Sequence, residues 1–150
     1  MHRPPALSLD LPQGWVGYRV KGFHLVAAGP GDAVSSPRLI AATYGGQPAD
    51  VEQLDRMYLV EDTAAEVAGL PARRVDLTRW NGDAAVFTRR WLVQYALPSG
   101  RATLEISAHC LVGDYQRYTH VFDAAVAGAR LMPARPLSAP VQTVGARTAA

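Results

Sequence analysis

The chain has 150 residues, about one domain, and at 49% hydrophobic it can fill a core without disulfide or metal staples. Fifteen Lys and Arg against thirteen Asp and Glu leave a net charge of +2, with Lys21 the only lysine. No dense basic run exists, which argues against nucleic-acid binding. Cys110 is the only cysteine, so an intramolecular disulfide and a Cys-rich metal site are excluded.

Residues 1–8 read as a loose leader, because Pro4-Pro5 blocks regular structure. This leader has no apolar signal core, and no run approaches the ~18 apolar residues of a membrane span. Together with a single thiol, these features set the expectation of a cytoplasmic chain. The domain is expected over residues 9–132. Leu9–Trp15 is a turn with an anchoring tryptophan. Trp15–Val20 and Phe23–Ala28 form a short hairpin around Lys21-Gly22, and Leu39–Tyr44 a further strand closed by Gly45-Gly46. Pro48–Tyr58 reads as a helix, with proline in its first turn, Asp50 and Glu52 at its positive end, and Val51, Leu54 and Met57/Tyr58 at helical spacing.

Thr63–Ala68 is expected to be a strand that turns through Gly69-Leu70-Pro71 into the segment on which the domain is organised. That segment reads strand Pro71–Trp80, turn Asn81-Gly82-Asp83, strand Ala84–Leu97, turn Pro98-Ser99-Gly100, strand Arg101–Cys110, then a helix Tyr115–Leu131. In the third of these strands Ala102, Leu104, Ile106, Ala108 and Cys110 alternate with Arg101, Thr103, Glu105, Ser107 and His109. Successive strand side chains point to opposite faces, so one face is dry and the other wet. Val75 and Leu77 alternate with Arg74, Asp76 and Thr78 in the same manner. The middle strand has apolar residues in both phases: Phe87, Arg89, Trp91, Val93 and Tyr95 against Val86, Arg90, Leu92 and Ala96. The helix presents Tyr115, Tyr118, Phe122, Ala125, Val126 and Ala129 at three- and four-residue steps, with Asp114 as its expected N-cap. Residues 133–150 have no period and three prolines among their first eight, the composition of a disordered tail.

Candidate chemistry is sparse. His109 and Cys110 are adjacent in a strand and face opposite ways, out of reach of one another as a nucleophile pair. His120 and Asp123, with His24 or His109, are the best metal set, but an ordinary solvated face is favoured and no metal or cofactor is expected. Arg74 and Arg90 form an anion-attracting patch if they share the open side of the sheet; cross-strand pairing with Asp76 and Glu105 is the simpler expectation. No phosphate loop or Gly-x-Ser-x-Gly elbow occurs. Trp15, Trp80, Trp91 and Tyr95 serve either the core, which is favoured, or a partner surface.

Several stretches carry a resemblance: Leu11-Pro12-x-Gly14-Trp15, Glu66–Val75, Trp91-Leu92-Val93, and Tyr115…Val121-Phe122-Asp123-Ala124-Ala125…Ala129-Arg130. Over about Leu9–Leu131 the chain resembles the PsbP-like superfamily, in particular its DcrB-related and LpqN-like bacterial branch. The resemblance implies an α+β fold: an α/β/α sandwich around an antiparallel sheet of six to seven strands with a long C-terminal helix. It also implies non-enzymatic roles, since relatives include photosystem-associated subunits, actinobacterial lipoproteins and adaptor chaperones for secreted effectors. The expectation is therefore a protein-binding module, an adaptor or chaperone, within a bacterial secretion system, holding a partner polypeptide or a second copy of itself. The expected contact residues are Phe87, Trp91, Tyr95, Arg74 and Arg90. The rival expectation is a small-molecule or anion-binding domain, or an enzyme, using Arg74, Arg90, Glu105 and His109 on the open sheet face.

Overall fold

A computed structural model describes residues 6–46, 48, 56–98 and 100–132, without the side chains of Tyr95, Leu97 and Met132. Among the described residues, nine strands and one α-helix follow in order: β1 (Ala6–Ser8), β2 (Val16–Tyr18), β3 (Leu25–Ala28), β4 (Arg38–Gly45), β5 (Met57–Val67), β6 (Leu70–Asn81), β7 (Ala84–Leu97), β8 (Gly100–Leu111), α1 (Tyr115–Ala127) and β9 (Arg130–Met132). Seven strands form one antiparallel sheet in the order β2-β3-β4-β8-β7-β6-β5. The long strands β5 to β8 are a run of hairpins, whereas β4 is far from β8 in sequence and closes onto its free edge. The β5–β6 turn has Ala68 at φ 51° and Gly69 at φ 80°. Positive φ at both central residues is what the right-handed twist of a two-residue hairpin demands.

The period-two pattern of β8 decides how the layers stack. Ala102, Leu104, Ile106, Ala108 and Cys110 are all buried, and they pack with Tyr118, Phe122, Ala125 and Val126 of α1. Register carries the same face into the neighbours, since Phe87 lies opposite Cys110, Trp91 opposite Ile106, and Leu39 opposite Ala108. Phe122 is fully buried, which contributes about 1.5–3 kcal/mol, and its ring stacks with Tyr118 at 6.1 Å. Tyr115 meets Phe87 edge to face at 4.6 Å. A smaller cluster, Val75, Leu77 and Leu92 with Met57, lies on the opposite face of the sheet.

Several boundaries differ from the sequence expectation. Ala6–Ser8 is not loose: it pairs with Arg130–Met132 as a two-stranded sheet, with Leu7 opposite Leu131. The helix accordingly ends at Ala127 and the chain passes into β9 through Gly128, where a Cβ would come within 2.6 Å of Asp10 Oδ2. Asp114 precedes the helix within a 3₁₀ turn, Val112–Asp114, but its side chain makes no capping bond. The expected strand at Thr63–Ala68 starts earlier, at Met57, so Met57 and Tyr58 are strand and not helix. The core of the expected helix, residues 49–55, and with it the second helical layer of the α/β/α sandwich, lies outside the described residues, as does the tail 133–150.

Candidate functional site

Two networks of charged residues lie on opposite faces of the sheet. On the α1 side, Arg89 of β7 is inserted between β6 and the helix. Its Nε and Nη2 donate to Asp76 Oδ1 and Oδ2, each at 2.9 Å, and Nη1 donates to Asp123 at 2.9 and 3.1 Å. Arg74 extends the chain of charges by donating to Glu61 at 2.6 Å and to Asp76 at 3.3 Å. Arg89 and Asp76 are 5% and 2% exposed, a depth at which an unpaired charge is untenable. Burial opposes the Arg89 charge, but the bonds to Asp76 and Asp123 outweigh it and hold the guanidinium pKa above its ordinary value. Arg89 also lies 5.7 Å from the Phe87 ring centroid.

On the face away from α1, Arg90 donates to Glu105 through Nε at 2.8 Å and Nη2 at 3.0 Å, and Tyr44 Oη donates to the same carboxylate at 2.7 Å. Burial opposes the Glu105 charge, but bonds from Arg90 and Tyr44 bring its pKa below the usual carboxylate range. The same burial, and the hydrogen bond to that carboxylate, push the Tyr44 phenol up. One row further along, His109 shares hydrogen bonds with Thr88 at Nδ1 and Ser107 at Nε2, both 3.0 Å. Burial, followed by the nearby Arg79 and Arg38, lowers its pKa to about 4, so the ring is neutral near pH 7. Arg38 and Arg79 border a pocket of about 270 Å³ at this end of the face.

These positions revise the expected contact surface. Phe87 and Trp91 are 2% and 4% exposed beneath α1, because register places them opposite Cys110 and Ile106 of the dry β8 phase. Tyr95 pairs through its backbone with Ala102, and its side chain lies outside the described residues. Arg74 and Arg90 do not share a face. Arg74 lies opposite Trp91 whereas Arg90 lies opposite Val75, so no joint patch forms; Arg90 pairs across strands with Glu105 as expected, whereas Arg74 pairs across strands with Glu61 and only along its own strand with Asp76, whose cross-strand partner is Arg89. Of the rival set, Glu105, Arg90 and His109 stand together on the open face, and Arg74 stands apart. Asp123 turns to Arg89 and not to His120, while His24 bonds Thr43 at 2.7 Å. Cys110 is buried, which pushes its thiol up to about 11.

Two features escaped the sequence. Arg38 and Arg79 come together only because β4 joins β8 and β6 joins β7. The β2–β3 hairpin exposes Val16, Tyr18, Val20 and Phe23 at 42–55%, although its alternating apolar residues do not distinguish an edge from an interior strand. Tyr18 begins a cross-strand row on the open face that continues through Val26, Ile40, Ser107 and Arg90.

No protein-family model and no curated protein matches the sequence. Solved structures do match. LpqN of Mycobacterium tuberculosis, described as involved in cell envelope biogenesis, is 13% identical with a TM-score of 0.69, covering 86% of this chain and 84% of LpqN. CyanoP, the PsbP protein of Synechocystis sp. PCC 6803, is 11% identical with a TM-score of 0.52 over 84% of this chain and 92% of its own. A Bacteroides thetaiotaomicron VPI-5482 structure is 12% identical with a TM-score of 0.51, covering 94% of this chain but 52% of that one. At these identities the likeness speaks to architecture: the chain has a PsbP-like α+β fold.

Proposed function

We propose that this chain is a non-enzymatic polypeptide-binding module, an adaptor or chaperone, that takes up an extended apolar segment along β2. The observation that carries this reading is the β2–β3 hairpin, where four large apolar side chains are 42–55% exposed within eight residues. β2 ends the sheet, so its outer backbone groups are available to an added strand. Exposed Arg19 and Lys21 interleave with these apolar residues, which favours a partner segment flanked by acidic residues. The opposite edge, β5, also exposes Tyr58, Leu59 and Val60. There, however, a register shift at Leu59/Glu61 and the ion pairs Arg73–Asp62 and Arg74–Glu61 blunt the edge against pairing.

A cytoplasmic setting and service to a secretion system are part of the proposal. The likeness to LpqN, a cell-envelope protein, weighs toward the envelope, and fractionation of the native cells decides between the two. Affinity capture with wild type and with a Tyr18→Ser, Phe23→Ser double variant tests the binding edge. A partner lost from the double variant supports it; equal retention removes it. Light scattering of the isolated chain shows whether that partner is a second copy.

A further inference from the structure

A pocket of about 270 Å³ opens at one end of the sheet face away from α1, between the β3–β4 loop and the β6–β7 turn. Register explains its composition. Arg79, Val86 and Leu111 form one cross-strand row, and Arg38 stands opposite His109 in the next. Val34 and Ile40 complete an apolar wall. Arg79 is half-buried and, among the described residues, has no hydrogen bond or ion pair. Arg38 gives one donor to the Ala33 carbonyl, which leaves most of its five N–H groups unused. Among the described residues, no carboxylate lines the pocket. Two rows beyond His109 on the same face, Glu105 is taken up by Arg90 and Tyr44. His109 adds no charge, and both its ring nitrogens are occupied by Thr88 and Ser107. The result is two guanidiniums beside an apolar wall with no carboxylate among the described lining residues.

We infer that this pocket binds a small organic anion, a monocarboxylate with a short branched hydrocarbon body. The carboxylate lies on Arg79 and Arg38, whose planar donors match its two oxygens. The hydrocarbon packs on Ile40, Val86 and Leu111. The volume, below the roughly 300–1,000 Å³ typical of larger ligands, sets the limit on size. The site is separate from the β2 edge and stands whether or not that edge binds a polypeptide.

The test is a titration of the full chain followed by amide NMR shifts, using isovalerate, its neutral analogue isovaleramide, and inorganic phosphate. Isovalerate is expected to give saturable shifts around Arg38, Arg79 and Leu111, with isovaleramide and phosphate at least about tenfold weaker. Arg79→Met should weaken isovalerate about tenfold or more, while Arg101→Met, at the far end of β8, should leave it unchanged. Among the described residues Arg79 has no partner to lose, so its variant should fold; Arg38→Met is the second variant, and the isovaleramide comparison needs none. The inference is overturned by no saturable isovalerate binding up to about 10 mM, by equal binding in Arg79→Met, or by equal affinity for isovaleramide or phosphate.

Discussion

Replacing Arg89 with Met tests the polar joint between the sheet and α1. The substitution keeps most of the side-chain volume but removes three donors that reach Asp76 and Asp123. Among the described residues, Asp76, at 2% exposure, then retains only the 3.3 Å side-chain bond from Arg74. Removing one partner of a buried pair costs about 3–5 kcal/mol because the other charge is left uncompensated. The surviving Arg74 contact puts the expectation at the lower end, about 3 kcal/mol, or roughly 10 °C in melting temperature for a domain of this size. Asp123 is a different case: its side chain is 51% exposed, so Asp123→Asn should cost no more than ~1 kcal/mol. Replacing both members, Arg89→Met with Asp76→Leu, removes the stranded charge and should recover most of the loss. Calorimetric melting of the four proteins measures these differences. Equal effects of Arg89→Met and Asp123→Asn, or a double variant less stable than the single, would refute the reasoning.

Three further outcomes follow from the same packing. Phe122→Ala empties the centre of the α1 interface and should cost about 3–5 kcal/mol, read as a shift of the urea midpoint; a change below ~1 kcal/mol would mean the helix is held elsewhere. His109 titrates near 4 in the folded chain against 6.5 in the unfolded one, so the unfolded state binds more protons between these values and stability falls as pH drops through that window. At about pH 5 the loss from His109 is on the order of 2 kcal/mol relative to pH 7, and His109→Gln should remove that part, leaving the contribution of His24, whose pKa burial also lowers. Glu105 and Asp62, whose pKa values are lowered, contribute stability that is lost only at more acid pH, outside this comparison. A wild-type melting temperature that is flat from pH 7 to pH 5 would contradict the His109 assignment. Cys110, buried with its thiol pushed up to about 11, should react with iodoacetamide at least about 100-fold more slowly in the native chain than in urea. Comparable rates would place it at the surface.

The strands and the dry face of β8 were legible because apolar residues recur there with period two, a signal that needs no neighbour to interpret. The helix surface was legible for the same reason, since Tyr118, Phe122, Ala125 and Val126 recur at helical spacing and are the residues buried. The choice of face for Phe87 and Trp91 was not. β7 is apolar in both phases, so only its register against Ile106 and Cys110 determines which set goes beneath α1. Arg89 and Asp123 are 34 residues apart, and no local pattern announces such a pair. Likewise Arg38 and Arg79 read as unremarkable surface arginines until strand order brings them to one pocket. The β1–β9 pairing was hidden because three-residue strands carry too few positions to display a period.

The most direct test of the binding claim is site-specific photo-crosslinking in the native cells, with a benzophenone amino acid in place of Tyr18 in one version of the chain and of Tyr58 in another. The account predicts a polypeptide crosslinked through position 18, on the β2 edge, and none through position 58, on the blunted β5 edge. Crosslinking through position 58 alone, or through neither, would contradict it.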